Sequence, residues 1–182
     1  MKDIQFIIWL FPIIFMLHDF EEIVFVKPWF EKAKNRERLQ RRFPKLSKRL
    51  LQHFDPISTS SFSLAVAEEF LLISAVTIAA YLAGWYYLWL GGFIAFTAHL
   101  FAHCIQGIAF RGYIPTLITS IICLPLCCYL IVSFCLLYEP AIDQAIIFSI
   151  IATVIMVVNL MAVHKVMYIF DKWLNAYQKD KR

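Results

Sequence analysis

The side chains best suited to chemistry in this sequence belong to the segment His18–Glu22, which reads His-Asp-Phe-Glu-Glu. The segment lies in an apolar run that begins at Ile4. An ionisable side chain at the centre of a membrane helix costs roughly 2.5 to 3.5 kcal/mol on insertion scales, so it normally faces a partner or a polar cavity. His18 precedes Glu21 by three residues and Glu22 by four, which places the three side chains on one face of a helix.

Further polar side chains lie in three other apolar stretches of the sequence. They are Glu68 and Glu69, then His99, His103 and Gln106, and finally Asn159 and His164. His99 and His103 are four residues apart, the separation at which two imidazoles of one helix can bind the same metal ion. Gln106 lies one turn further along that face.

A cluster of carboxylates and imidazoles in a membrane can be stabilised in three ways. It can bind a divalent cation, it can pair internally and only fix the packing of helices, or it can line a proton or ion path. The side-chain types suit zinc, iron or manganese, as one or two ions held inside a helix bundle. The expected metal ligands are His18, Glu22, Glu68, Glu69, His99 and His103.

The two adjacent glutamates of each pair are expected to have different roles. One of Glu21 and Glu22 binds the metal, while the other orients a histidine or acts as general base, so both are candidate catalytic residues. Adjacent side chains on a helix point about 100° apart, so only one of Glu68 and Glu69 is expected to reach the ion. Residues expected to support the ligands are Asp19, which points away from His18, with Gln106, Asn159 and His164.

The composition is typical of a membrane protein, so these residues lie in membrane helices. Of the 182 residues, 61% are hydrophobic and 16% are charged, whereas soluble domains have about 45–50% and about 25%. Five stretches are long enough to cross the bilayer as helices, which takes about 20 residues each. They are residues 4–26, 62–82, 88–110, 113–138 and 144–166. The expected fold is an all-α polytopic helix bundle in a single membrane domain, residues 1–182.

The cysteines and the first residues add two expectations. The five cysteines form no CxxC pair and lie in apolar segments, so we expect small buried side chains rather than disulfides or a thiolate metal site. The apolar N-terminal run has no basic flank beyond Lys2 and contains the polar segment. We therefore expect it to be a retained first span rather than a cleaved signal peptide.

The distribution of Lys and Arg predicts the orientation. Ten lie between Lys27 and Pro56, one is Arg111, and five lie in the tail from Lys165 onward. Five spans place all of these on one side of the membrane, which the positive-inside rule assigns to the cytoplasm. We therefore expect an external N-terminus, a cytoplasmic C-terminus, and a multi-pass location in the inner or plasma membrane. Nucleic-acid binding is not expected, because topology already accounts for the positive charge.

This orientation brings the polar groups to one depth. At 1.5 Å per residue, His18 lies about 12 Å from the cytoplasmic end of its own helix, and Glu68 about 9 Å from the end of its helix. The same distance is about 10 Å for His103 and for Asn159. Residues far apart in the sequence are therefore predicted to meet in the cytoplasmic half of the bilayer.

The basic loop of residues 27–61 is the largest segment outside the spans, and residues 167–182 form a basic tail. Within the loop, Lys45–Phe54 places four apolar side chains on one helical face, namely Leu46, Leu50, Leu51 and Phe54. This pattern is typical of a helix lying on anionic lipid headgroups, where each basic residue contributes about 1 kcal/mol. A loop that only sets the topology and a gate over the site are the alternatives.

With these residues identified, the chain resembles the HXXEE family of small bacterial integral membrane proteins, named for the signature at His18–Glu22. The pair Glu68-Glu69, the histidines His99 and His103, and the segment Arg111–Pro115 resemble the rest of the family pattern, and the resemblance covers essentially all the spans. Members often have glycine after this proline, whereas this chain has Thr116, which bears on the tightness of that turn. The resemblance implies a metal-dependent membrane enzyme and implies no particular reaction.

The sequence thus predicts an enzyme that acts on a lipid or another apolar small molecule, with oligomers possible. A zinc ion would favour hydrolysis, whereas two irons would favour oxidation. A transporter or ion pathway is the alternative from another class, although the chain shows no repeat and no broken-helix pair. A metal-free glutamate protease of the prenyl-endopeptidase kind is less well supported, because the arginine expected after Glu68-Glu69 is missing and the spacing from Phe96 to His99 is one residue short.

Overall fold

The structure is a computed structural model that describes the backbone of residues 2–179 and the side chains of residues 4–178. Within this range the chain is all-α, with seven helices. They are α1 (Lys2–Glu31), α2 (Ala33–Arg42), α3 (Pro44–Phe54), α4 (Thr59–Ala83), α5 (Tyr86–Phe110), α6 (Leu117–Tyr138) and α7 (Ile142–Lys179).

Four of the helices in the described part of the chain, α4 to α7, are long and apolar enough to cross a membrane. The first predicted span corresponds to α1, whose second half carries Asp19, Glu21 and Glu22. The predicted start at residue 113 is too early, because Thr116 has φ 88° and α6 begins only at Leu117. α7 continues well past the predicted end at residue 166.

The five long helices form a closed ring in the order α1, α4, α7, α5, α6. The core lies between α1 and α5, whose buried apolar residues recur every three or four positions, the spacing of one helical face. These residues are Ile7, Ile8, Phe11, Ile14 and Phe15 of α1, and Trp89, Phe93, Phe96 and Leu100 of α5. On the other side of α5, Gly91 allows close packing with α7, since an added Cβ would lie 2.5 Å from the Phe148 carbonyl oxygen.

α1 faces α5 across the core along its apolar length. Near one end, Pro12 cannot bond to the Ile8 carbonyl, and the Trp89 indole N–H donates to that oxygen instead, at 3.1 Å. Near the other end, the rings of Trp29 and Phe110 pack with centroids 5.1 Å apart. Both pairs of contacts are separated by 21 residues in each helix, so the two helices run parallel in the same direction.

The basic helices α2 and α3 cover one end of the bundle. Leu39 and Leu51 pack with Trp29 and Phe110 in a second apolar cluster. Arg42 donates to the carbonyl of Ala109 in the last turn of α5, where a cation is favoured by the helix dipole. The amphipathic helix expected at Lys45–Phe54 is therefore present as α3, and it packs on the helix ends through part of its apolar face.

Candidate metal centre

Helices α1 and α5 bring four potential ligands together. One ligand atom from each of His18, Glu22, His99 and His103 lies within 4.8 Å of the other three. Each pair comes from one helix at a spacing of four residues, so the i, i+4 geometry on two neighbouring helices forms the group. The His18 side chain is fully buried, and the ring centroids of His18 and His103 are 5.3 Å apart.

The hydrogen bonds of His18 leave one ring nitrogen for a ligand. The Thr119 hydroxyl donates to the Glu21 carboxylate at 2.6 Å, and because it has only one proton it must accept from His18 Nδ1–H, at 3.0 Å. The opposite nitrogen, Nε2, then carries a lone pair. It is buried and has no hydrogen-bonding partner among the described side chains. This is the tautomer that binds a metal ion through Nε2.

Glu21 holds the start of α6. Its carboxylate accepts from the backbone N–H groups of Thr119, at 2.8 Å, and Ile118, at 3.4 Å, and from the Tyr113 hydroxyl, at 2.9 Å. The first N–H groups of a helix have no partner within the helix, and a carboxylate is favoured there by the helix dipole. Glu21 therefore acts as an N-cap supplied by another helix, and through Thr119 it also orients His18.

The histidines of α5 face each other and Glu22. The Nε2 atoms of His99 and His103 are 2.8 Å apart, and His103 Nε2 is 3.6 Å from Glu22 Oε1. His103 Nδ1 lies 3.1 Å from Gln106 Oε1, an acceptor, so Nδ1 carries the proton and Nε2 carries a lone pair. Gln106 thus orients His103 as Thr119 orients His18.

Three imidazoles and one carboxylate are a suitable donor set for zinc, iron or manganese. Zn–N bonds of about 2.05 Å in tetrahedral geometry separate the ligand nitrogens by about 3.3 Å. The 2.8 Å between His99 and His103 therefore has to widen by about half an ångström around an ion. The buried, unpartnered Nε2 of His18 is the observation that fits a metal ion best, because buried polar atoms normally have partners.

A cavity of about 540 Å³ adjoins this group, and its walls come from α1, α3, α4, α5 and α7. Most of the wall is apolar, with Phe11, Phe15 and Phe96 among its side chains. The polar residues of the wall include ligands from both helices of the metal group and further side chains of α1, α4 and α7. They are Asp19, Glu22, Glu69, His99, Asn159 and His164. An apolar molecule in the cavity would therefore lie against the proposed ligands.

The two acidic residues of α4 take different positions. Glu69 faces the cavity, whereas Glu68 is exposed and accepts a hydrogen bond from the Asn159 amide at 3.0 Å. Neither belongs to the four-residue group. The structure therefore places Glu69 beside the proposed metal centre, and it places Glu68 and Asn159 together at a separate contact between α4 and α7.

The remaining histidines pair at the end of the cavity nearest α3. His53 Nε2 and His164 Nδ1 are 2.8 Å apart, and burial lowers the pKa of His53. The adjacent Asp55 forms a bidentate ion pair with Arg36, at 2.5 and 2.9 Å. These hydrogen bonds hold the pKa of Asp55 below its usual range. His164 thus contacts α3 instead of the proposed metal ligands.

Three residues with clear roles were not assigned one from the sequence, namely Thr119, Tyr113 and His53. A signal for the first two exists in retrospect. α6 has no acidic residue in its first turn and no cap from the side chain of Thr116, and a helix in lipid needs partners for its first N–H groups. A carboxylate from another helix was the remaining candidate to accept hydrogen bonds from these N–H groups. No local signal in the sequence pairs His53 with His164.

No curated protein and no solved structure shows significant similarity to the chain. Residues 9–130 match the family model described as a protein of unknown function with HXXEE motif. This range contains the signature segment, all four residues of the candidate metal group and the start of α6. The chain therefore belongs to the HXXEE family.

Proposed function

We propose that the protein is a metal-dependent membrane enzyme that acts on a lipid or another apolar small molecule. The ion is held by His18, Glu22, His99 and His103 at the wall of the apolar cavity. The observation that carries this proposal is the fully buried Nε2 atom of His18, which lacks a hydrogen-bonding partner within the described side chains and converges with three other ligand atoms.

The role proposed for each group follows from its contacts. A zinc ion would supply an activated water for hydrolysis, whereas iron would supply oxidation chemistry. Glu21 is engaged by four hydrogen bonds at α6, so it positions His18. Asp19 and Glu69 face the cavity beside the ligand Glu22, and these two carboxylates are the groups able to exchange a proton with a bound substrate. The surrounding apolar wall binds the substrate and excludes water.

We also propose five membrane spans, with α1 as the first, an external N-terminus and a cytoplasmic C-terminus. The parallel contact of α1 with α5 over 21 residues supports this, because that length corresponds to about 32 Å and the hydrocarbon core is about 30 Å thick. The basic residues of α2 and α3 would then face the anionic headgroups of the cytoplasmic leaflet.

The metal content of the detergent-purified protein tests the proposed function. We expect stoichiometric zinc or iron in the wild type, with the element distinguishing hydrolysis from oxidation. His18→Ala and His103→Ala should each lose the ion, whereas His164→Ala should retain it, because His164 pairs with His53. A wild-type protein prepared without chelators that holds no metal would exclude the proposed enzyme and leave a proton path or a packing role for the cluster.

A further inference from the structure

Glu22 belongs to two groups of residues on α1. Its spacing of four from His18 places it in the histidine group, and its spacing of three from Asp19 brings those two carboxylates to one face. Both Asp19 and Glu22 line the cavity, as does Glu69 of α4. The three carboxylates interact electrostatically with one another.

Two members of this acidic group, Asp19 and Glu69, have no compensating partner among the described residues. The Asp19 side chain is only 4% exposed, it lines the cavity, and no described side chain or backbone group donates a hydrogen bond to it. Within residues 4–178, Glu69 likewise has no hydrogen bond and no ion pair. Buried carboxylates are normally hydrogen-bonded or paired with a cation, because burying an uncompensated charge is very unfavourable.

We propose that a second divalent cation binds between Asp19, Glu69 and Glu22, with Glu22 as the ligand shared with the histidine site. This inference rests on the proposed function, since Glu22 is shared only if the first ion is bound. Two ions held about 3.5–4 Å apart by shared carboxylates are a recurrent arrangement in enzymes and in helix bundles. Oxygen ligands favour a hard cation such as Mn²⁺.

The chain offers a matched control in Glu68, the neighbour of Glu69. Glu68 has the same chemistry but is exposed and bonded to Asn159. Glu68→Gln therefore removes one carboxylate from the same helix without changing the acidic group at the cavity.

Mn²⁺ loading of the full-length protein in detergent tests the second site. We expect about two bound ions in the wild type and in Glu68→Gln, and about one in Asp19→Asn and in Glu69→Gln. The electron paramagnetic resonance spectrum should change in parallel. The exchange-coupled spectrum of neighbouring Mn²⁺ ions should be replaced by that of isolated Mn²⁺ in Asp19→Asn and Glu69→Gln. Gel filtration and circular dichroism select the variants that remain folded.

The outcomes separate the second site from the proposed function. A wild type that binds a single ion, lost in His103→Ala but kept with an unchanged spectrum in Asp19→Asn and Glu69→Gln, would overturn the second site and leave the histidine site intact. A wild type that binds no Mn²⁺, zinc or iron would overturn both. Loss of one ion in Glu68→Gln as well would show that general negative charge holds the cation and would also overturn the proposed site.

Discussion

Thr119 is the residue through which the candidate metal centre depends on α6. Its hydroxyl donates to Glu21 and accepts from His18 Nδ1, so it sets which His18 nitrogen carries the proton. Such supporting hydrogen bonds typically contribute 10-fold to 100-fold in metal affinity. The candidate metal centre therefore depends on three helices, although only α1 and α5 supply its potential ligands.

Thr119→Val removes this hydroxyl while keeping the shape of the side chain. We expect metal affinity to fall roughly 10-fold to 100-fold, because His18 loses the acceptor that fixes its tautomer, while the backbone N–H of residue 119 still bonds to Glu21. Competition with a chromophoric chelator measures the affinity. Thr97→Val is the control, since the Thr97 hydroxyl bonds to the Phe93 carbonyl of its own helix and to Cys127, and not to a residue of the candidate metal group. Equal affinity in wild type and Thr119→Val would contradict the proposed orientation of His18.

The four residues of the candidate metal group could be predicted from the sequence because each pair repeats the i, i+4 spacing in an apolar helix, as His18 with Glu22 and His99 with His103 do. The separate roles of Glu21 and Glu22 could not be predicted in this way. Both lie one turn beyond His18, and only the position of α6 in the fold decides which carboxylate caps a helix and which one faces the cavity.

Thr116 is a strained residue that lies directly before α6. Its φ is 88°, in the left-handed region that a β-branched residue rarely adopts. The residue is buried, and its hydroxyl has no hydrogen-bonding partner among the described groups. Its carbonyl accepts from Ser120 N–H at 2.9 Å, which starts α6. The strain thus lies directly before the helix that carries Thr119.

Thr116→Gly is expected to stabilise the protein by about 1 kcal/mol, because glycine adopts positive φ without steric cost. Thermal unfolding in detergent measures the change as a higher midpoint temperature. Thr77→Gly is the matched control, since Thr77 is also buried with an unpartnered hydroxyl but lies within α4. Glycine there should destabilise the helix by about 1 kcal/mol or more. A loss of stability at both positions would show that φ at Thr116 carries no strain.

Hydropathy predicted the helix bounds well where the polarity of the sequence changes abruptly. The turn at Gly84, with φ 69°, separates α4 from α5 within two residues of the predicted bounds. The start of α6 was predicted too early, and α7 continues past the predicted end at residue 166. Residues 113–116 carry no charge, so no charged residue marks the boundary before α6, and α7 continues as a helix of stacked aromatic side chains, with Trp173 and Tyr177 5.7 Å apart.

At the scale of the whole molecule, the two ends of the bundle differ in charge. One end carries α2, α3 and the segment before α6, and there Trp29 Nε1 of α1 donates to the Tyr113 carbonyl at 2.9 Å. The other end carries the short turns at Gly84 and Glu139, joined by the bond from Ala141 N–H to the Tyr87 hydroxyl at 3.0 Å. Nearly all Lys and Arg residues lie toward the first end, and Phe54 of α3 lines the cavity there.

This charge asymmetry predicts which residues face the cell exterior. In a variant with all cysteines replaced by serine, a single cysteine is introduced and treated with an impermeant maleimide on intact cells. Ala141→Cys should be labelled directly, whereas Lys34→Cys should be labelled only after permeabilisation.

Gln5→Cys then decides whether α1 is a span. α1 faces α5 from the Ile8–Trp89 contact to the Trp29–Phe110 contact, so Gln5, three residues before Ile8, should emerge at the same surface as the start of α5. Five spans therefore predict direct labelling of Gln5→Cys, like Ala141→Cys. Labelling only after permeabilisation, like Lys34→Cys, would mean that α1 does not cross the membrane.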